Sequence, residues 1–144
     1  MAKTQNAFTK YDVAAVAAEP VWLGLGADIR NVTANTPDTT NEDAFYDGDG
    51  TLQTDVTGTT EEYTFEGDRK ELNTTQDFLI ALQQERKIGG DRDVMFRITD
   101  PDGTTHTGLA TAYNITYRGG LAHEIPPFSV TIRFKEKPVV VAGV

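Results

Sequence analysis

The chain has 144 residues, which suits one domain able to bury roughly 68–70% of the surface that its unfolded form exposes. It has no cysteine, so a disulfide framework and a thiolate metal site are excluded and the fold must rest on packing or on partners. Thirteen Lys and Arg against 22 Asp and Glu leave a formal charge of −9, which opposes binding to a phosphate backbone, and no run approaches the ~18 apolar residues of a membrane helix.

Residues 1–19 read as an amino-terminal arm: Lys3, Thr4, Gln5 and Asn6 precede small apolar residues, and Pro20 ends whatever local structure comes before it. Tyr11 and Asp12 interrupt any apolar run ahead of Val13–Ala18, so no secretory signal is expected and folding in a reducing cytoplasm fits. Val21, Leu23, Leu25, Ala27 and Ile29 recur at every second position and predict a half-buried strand, with Trp22 on the opposite face. Residues 33–55 are rich in Thr, Asn, Asp and Gly and predict a long loop whose large apolar groups are Phe45, Tyr46 and Leu52. Structureless loops beyond about 12–15 residues are uncommon in compact domains and usually carry function.

From Val56 to Glu66 the alternation returns, with Tyr63 and Phe65 on an apolar face and Glu62, Thr64 and Glu66 on an anionic one. The period then becomes helical over 74–88, where Phe78 and Leu82 lie four apart. Asn73 with Gln76, or Thr74 with Asp77, offers a cap, and Gly89 and Gly90 offer the stop. Ile80 points away from the main apolar stripe, which predicts that it is exposed or touches a neighbouring subunit.

Val94, Phe96 and Ile98 mark an inward strand face, Asp100–Gly103 a turn, and Thr104–Tyr117 the answering strand. In that strand Leu109, Thr111, Tyr113, Ile115 and Tyr117 share one face, and Ala110, Ala112, Asn114 and Thr116 the other. Phe128, Val130, Ile132 and Phe134 predict a last inward face, and the apolar tail 138–144 lies beyond a proline that stops it from simply continuing that ladder. The pattern therefore predicts a body over 20–137, flanked by arms at 1–19 and 138–144. Its class is mainly β: an antiparallel β-sandwich or curved sheets with one packed α-helix.

Catalytic chemistry has little to build on. Ser129, the only serine, lies within a strand with no sharp turn to expose it, and His106 and His123 are expected in loops. Asp47-Gly48-Asp49-Gly50, with Asn41, Glu42 and Asp43 before it, clusters oxygens suited to a hard cation but departs from the EF-hand spacing, and a plain Asx/Gly turn accounts for it. No catalytic residue, metal ligand or cofactor is assigned. What remains are features of assembly: apolar extremities, a long loop with aromatic anchors, and sheet edges that another copy could pair.

Six segments resemble the major tail (tail tube) proteins of long-tailed phages with non-contractile tails. They are Trp22-Leu23-Gly24-Leu25-Gly26, Asp43–Gly50, Tyr63-Thr64-Phe65-Glu66-Gly67, Asp77–Leu82, Thr99–Gly103 and Pro127–Ile132, in the family's order over about residues 20–134. The resemblance implies a virion protein assembled in the host cytoplasm, with six copies forming a ring whose inner sheets join into a barrel and rings stacking into a tube. It implies a tape measure protein in the lumen, tail terminator and distal tail or baseplate proteins at the ends, and DNA crossing the lumen without specific binding.

An anionic lumen would repel the DNA backbone, and Glu62, Thr64, Glu66 and Asp68 are its candidate lining. Candidate inter-subunit contacts are Phe45, Tyr46, Leu52, Ile80, Val139, Val140 and Val141. The competing readings are a calcium- or carbohydrate-binding sandwich module and a single-ring tail-completion or connector protein.

Overall fold

The computed structural model describes residues 9–44, 52–70 and 73–143. The elements are β1 (Lys10–Ala15), β2 (Leu23–Gly24), β3 (Ile29–Asn35), β4 (Asp38–Ala44), β5 (Leu52–Thr59), β6 (Glu62–Asp68), α1 (Thr74–Gln84), a 3-10 turn (Gly89–Arg92), β7 (Asp93–Thr99), β8 (Thr105–Thr116), β9 (Pro127–Phe134) and β10 (Val139–Val141). Eight strands form one curled antiparallel sheet in the order β2-β1-β7-β8-β9-β6-β3, with β10 also on β8. The fold is thus mainly β with one helix, and of the two expected forms it takes the curved sheet.

The inner face is built from the alternating residues. Val94, Phe96, Phe128, Val130 and Ile132 are buried, and Phe65 of β6 joins them. Tyr11, Phe65, Phe96 and Phe134 form a ring cluster, with Tyr11 edge-on to Phe65 at 5.1 Å and Phe96 against Phe134 at 5.3 Å. Such pairs add about 0.5–1.5 kcal/mol each to the burial of their area.

On β8 the alternation breaks. The buried side is Gly108, Ala110 and Ala112, and at Gly108 a Cβ would press tightly on Pro138 and the Phe134 ring. Asn114 then takes a left-handed φ of 54°, the register with β9 shifts, and Ile115 turns inward. The single uninterrupted face expected from Leu109 to Tyr117 is therefore split by a bulge.

Four further expectations change. Residues 1–19 are not wholly an arm, since β1 pairs with β7 along its length, from Lys10↔Thr99 to Ala15↔Val94. The strand expected over Val21–Ile29 shrinks to Leu23–Gly24: Val21 is 78% exposed and Asp28 sits at a φ of 63° in a turn, although Leu25 is buried. The loop expected over 33–55 is largely a hairpin of β4 and β5, strands rich in Thr that pair only with each other.

The fourth change concerns the helix, which ends at Gln84, four residues short of its expected limit. The Arg86 amide donates to the Gln83 carbonyl and that of Lys87 to the Leu82 carbonyl, the paired bonds of a Schellman cap. The left-handed position is Arg86, at a φ of 54°, and Gly89 and Gly90 instead open the 3-10 turn. The amino-terminal cap is as expected, with Asn73 Oδ1 accepting from the Gln76 amide at 3.2 Å.

The hairpin is not an independent insertion. β3 and β6 pair Asn35 with Glu62, and β4 and β5 pair Asp38 with Thr59, in the same register. The Thr60 amide donates to the Pro37 carbonyl at 3.0 Å between them. One ribbon therefore runs from the sheet edge into the hairpin, interrupted where Pro37 lacks an N–H.

Candidate assembly surfaces

The outer face of β6 brings Glu62, Thr64, Glu66 and Asp68 to one side. Tyr113 Oη donates to Glu62 Oε2 at 2.6 Å and Asn35 Nδ2 to Glu62 Oε1 at 3.2 Å. These bonds, that of Tyr113 foremost, hold the Glu62 carboxyl below its ordinary range. The hydroxyls of Thr64 and Thr131 share a bond at 3.2 Å, and Asp68 pairs with Arg30 at 2.6 Å. Glu66 is exposed and has no ion pair among the described residues.

The same sheet face carries cations that reading β6 alone does not reveal. Arg133 stands opposite Glu62, Lys135 holds Asp93 at 3.0 Å, and Arg97 holds Asp12 at 3.0 Å while stacking 4.4 Å over Trp22. The face is therefore of mixed charge, with Glu66 its unpaired anion near β3.

Curling brings the two sheet edges close. A cleft of about 530 Å³ separates the start of β1, at Thr9 and Tyr11, from β3, at Ile29 and Val32. β3 is an edge strand and mostly exposed, so one row of its backbone groups faces away from any ladder.

Val139, Val140 and Val141 are 66%, 57% and 59% exposed. Successive residues of a strand point to opposite faces, so β10 is uncovered on both. It is held by three register pairs with β8, from Val139↔Thr107 to Val141↔Thr105, and Gly143 beyond it lies against the Asp102–Gly103 turn. The β9 ladder ends at Phe134, ahead of the proline at 138, and beyond that proline the chain returns to the sheet beside β8.

Ile80 corrects the expectation set for it: at 2% exposure it belongs to this chain's own core. Leu79, Ile80 and Leu82 are all buried, because the helix lies against β8 and β2 and more than one stripe of it is covered. Leu52 opens β5 opposite Ala44, while Phe45, Tyr46 and the Asp47–Gly50 turn lie outside the described residues.

Elsewhere His106 Nε2 lies 2.9 Å from Asp100 Oδ2 at the β7–β8 turn, and Ser129 sits half-buried within β9. Among the described residues no three His, Asp or Glu side chains converge as metal ligands.

One feature escaped sequence reasoning. Gln83, Arg86, Ile115, Thr116, Tyr117 and Arg118 line a groove of about 230 Å³ at the end of α1. Arg118 lies 4.8 Å from the Tyr117 ring, and Arg86 Nη1 donates to the Gln83 carbonyl at 3.0 Å. Neither guanidinium has a carboxylate partner among the described residues, and the adjacent Glu85 is taken by Lys87 at 3.3 Å. A left-handed conformation costs a residue with a Cβ roughly 1–2 kcal/mol, so arginine at 86 is held against its backbone preference. A helix stop is legible in sequence, but which residue takes the left-handed place is not.

No family model matches the sequence, and no curated protein matches it. Solved structures do. A chain from the tail of an empty gene transfer agent particle with C6 symmetry superposes with a TM-score of 0.74 at 12% identity, covering 97% of this chain and all of that one. The sheath/tube terminator of an extracellular contractile injection system gives 0.59 at 14% identity over 99% of both chains. The tube-terminating cap of the anti-feeding prophage gives 0.55 at 11% identity, over 99% of this chain and 93% of that one. The protein therefore has a tail tube-like fold along nearly its whole length.

Proposed function

We propose that this chain is a structural virion subunit that polymerises as stacked hexameric rings into the tail tube of a long-tailed phage or phage-like particle, and catalyses nothing. The observation that carries the reading is the fold shared from end to end with a subunit of a sixfold tail. Supporting it are an exposed edge strand, a hairpin that pairs only with itself and a terminal strand uncovered on both faces. These are inefficient in a monomer and useful in a polymer. The non-contractile class is what the resemblance of the ordered sequence motifs implies. The tape measure protein fills the lumen, DNA crosses it, and terminator and distal tail proteins close the ends.

In this assembly the outer face of β6 lines the lumen through Glu62, Thr64, Glu66 and Asp68. A sixfold ring multiplies the −9 of each chain, and repulsion keeps a passing polyanion from adhering. Phe45, Tyr46 and Leu52, with Val139, Val140 and Val141, make contacts between subunits.

A second reading, a terminator that forms one ring, is favoured by the likeness to two tube-terminating proteins. Electron microscopy of the concentrated protein decides between them: stacked tubes are expected, and isolated rings give the second reading. Persistent monomers would overturn both, and a tube map with Glu62 and Glu66 on the outside would remove the lumen assignment.

A further inference from the structure

We infer that Asp102-Gly103, in the β7–β8 turn, is a site of spontaneous isomerisation to isoaspartate, and that the carboxy-terminal strand β10 keeps it closed. The inference is independent of the polymer reading above, since it concerns one chain and water.

The turn follows a defined pattern. The Gly103 amide donates to the Asp100 carbonyl at 2.9 Å, the Asp100 amide donates to the Thr104 carbonyl at 2.8 Å, and Gly103 takes the left-handed place at a φ of 92°. This is a type I turn closed by a glycine bulge, which explains both Pro101 and Gly103. The residues it requires are also reactive, because glycine has no side chain to hinder attack of its nitrogen on the preceding aspartate. In that attack a bond forms from the Gly103 nitrogen to Asp102 Cγ. The nitrogen's proton and the hydroxyl of the protonated carboxyl leave as water, and a five-membered succinimide results. Water then reopens the ring at either carbonyl, giving aspartate or an isoaspartate with one extra methylene in the main chain.

Two bonds hold the reacting groups apart. The Gly103 nitrogen is committed to Asp100, and Asp102 Oδ1 accepts from the Thr104 amide at 2.9 Å. The Thr104 bond also keeps the Asp102 carboxyl below its ordinary range, hence ionised and a poor electrophile.

The tail secures this arrangement. β10 pairs with Thr105–Thr107, so the opening residues of β8 lie between β7 and β10. Gly143 then crosses the turn: its amide donates to Thr104 Oγ1 at 3.4 Å, and a Cβ at 143 would overlap the Asp102 carbonyl oxygen and crowd Gly103. Without β10, Thr105–Thr107 become an edge and the turn opens more often to reactive conformations. The coupling runs both ways. A main chain lengthened at Asp102 has no room against Gly143, so isomerisation unseats β10.

The test incubates the full chain and the chain lacking residues 138–144 at physiological temperature and neutral pH, and measures isoaspartate in the peptide that spans Asp102. The full chain should age slowly, and the truncated chain about tenfold faster while its circular dichroism stays that of a folded protein. Gly143→Ala, which must lift the tail off the turn, should also age faster than the full chain, and Asp102→Glu should lose the signal. Should the truncated chain unfold, the comparison passes to Gly143→Ala. Within aged full-length protein, the isomerised fraction should lose its tail to carboxypeptidase sooner than the intact fraction. Equal rates at Asp102 with and without a seated tail overturn the protection by β10. No isoaspartate at Asp102 even in the urea-unfolded chain overturns the site itself.

Discussion

Single residues carry the close fits. Gly67 is buried beneath the β3 turn, and a Cβ there would overlap the Asp28 carbonyl oxygen and crowd Ile29. Gly67→Ala must displace backbone, so a loss of about 1–3 kcal/mol is expected, read as a fall of several degrees in Tm. Tyrosines set an alkaline limit. Burial, then the Glu61 carboxylate beside it, pushes the Tyr63 phenol well above its ordinary range; burial, then Asp100, raises Tyr11, and burial, then the bond to Glu62, raises Tyr113. Folded pKa values above unfolded ones mean that the unfolded chain loses these protons first. Stability present below pH ~10 should therefore drain away as pH rises further. Tyr63→Phe should flatten that decline in melts taken between pH ~9 and ~11, and an unchanged slope would place the ionisation elsewhere.

Elements show what local pattern reveals and what it leaves to tertiary context. β7 and β9 were legible because Val94-Phe96-Ile98 and Phe128-Val130-Ile132 alternate cleanly against one packed face. The hairpin of β4 and β5 was not, because Thr, Asn and Asp serve loops as readily as exposed strands and no apolar face marks them. Ile80 misled for a related reason: a helix covered on more than one side buries residues that a single-stripe reading assigns to solvent. The anionic face of β6 was read correctly as an alternation, but the cations beside it come from β3 and β9, whose pairing no local window supplies. For β10, three register pairs and three exposed valines make it a marginal part of the monomer. Deleting residues 138–144 should leave a folded subunit by circular dichroism and impair polymerisation; full-length tubes from the truncated chain would remove β10 from assembly.

At the scale of the whole molecule, the sheet curls without closing, and its β2–β1 end faces the β3 edge across a cleft. Closure would have hidden the β3 edge and stabilised a solitary subunit. The open form leaves β3, the hairpin and β10 at the periphery of one body, so that in the proposed tube each could serve a different neighbour, around a ring or along its axis. The shared register through Pro37 and Thr60 has a mechanical consequence. Tension on the hairpin pulls β3 and β6 lengthwise together, so the β6–β9 ladder that ties them to the sheet is loaded in shear and does not open one bond at a time from an end.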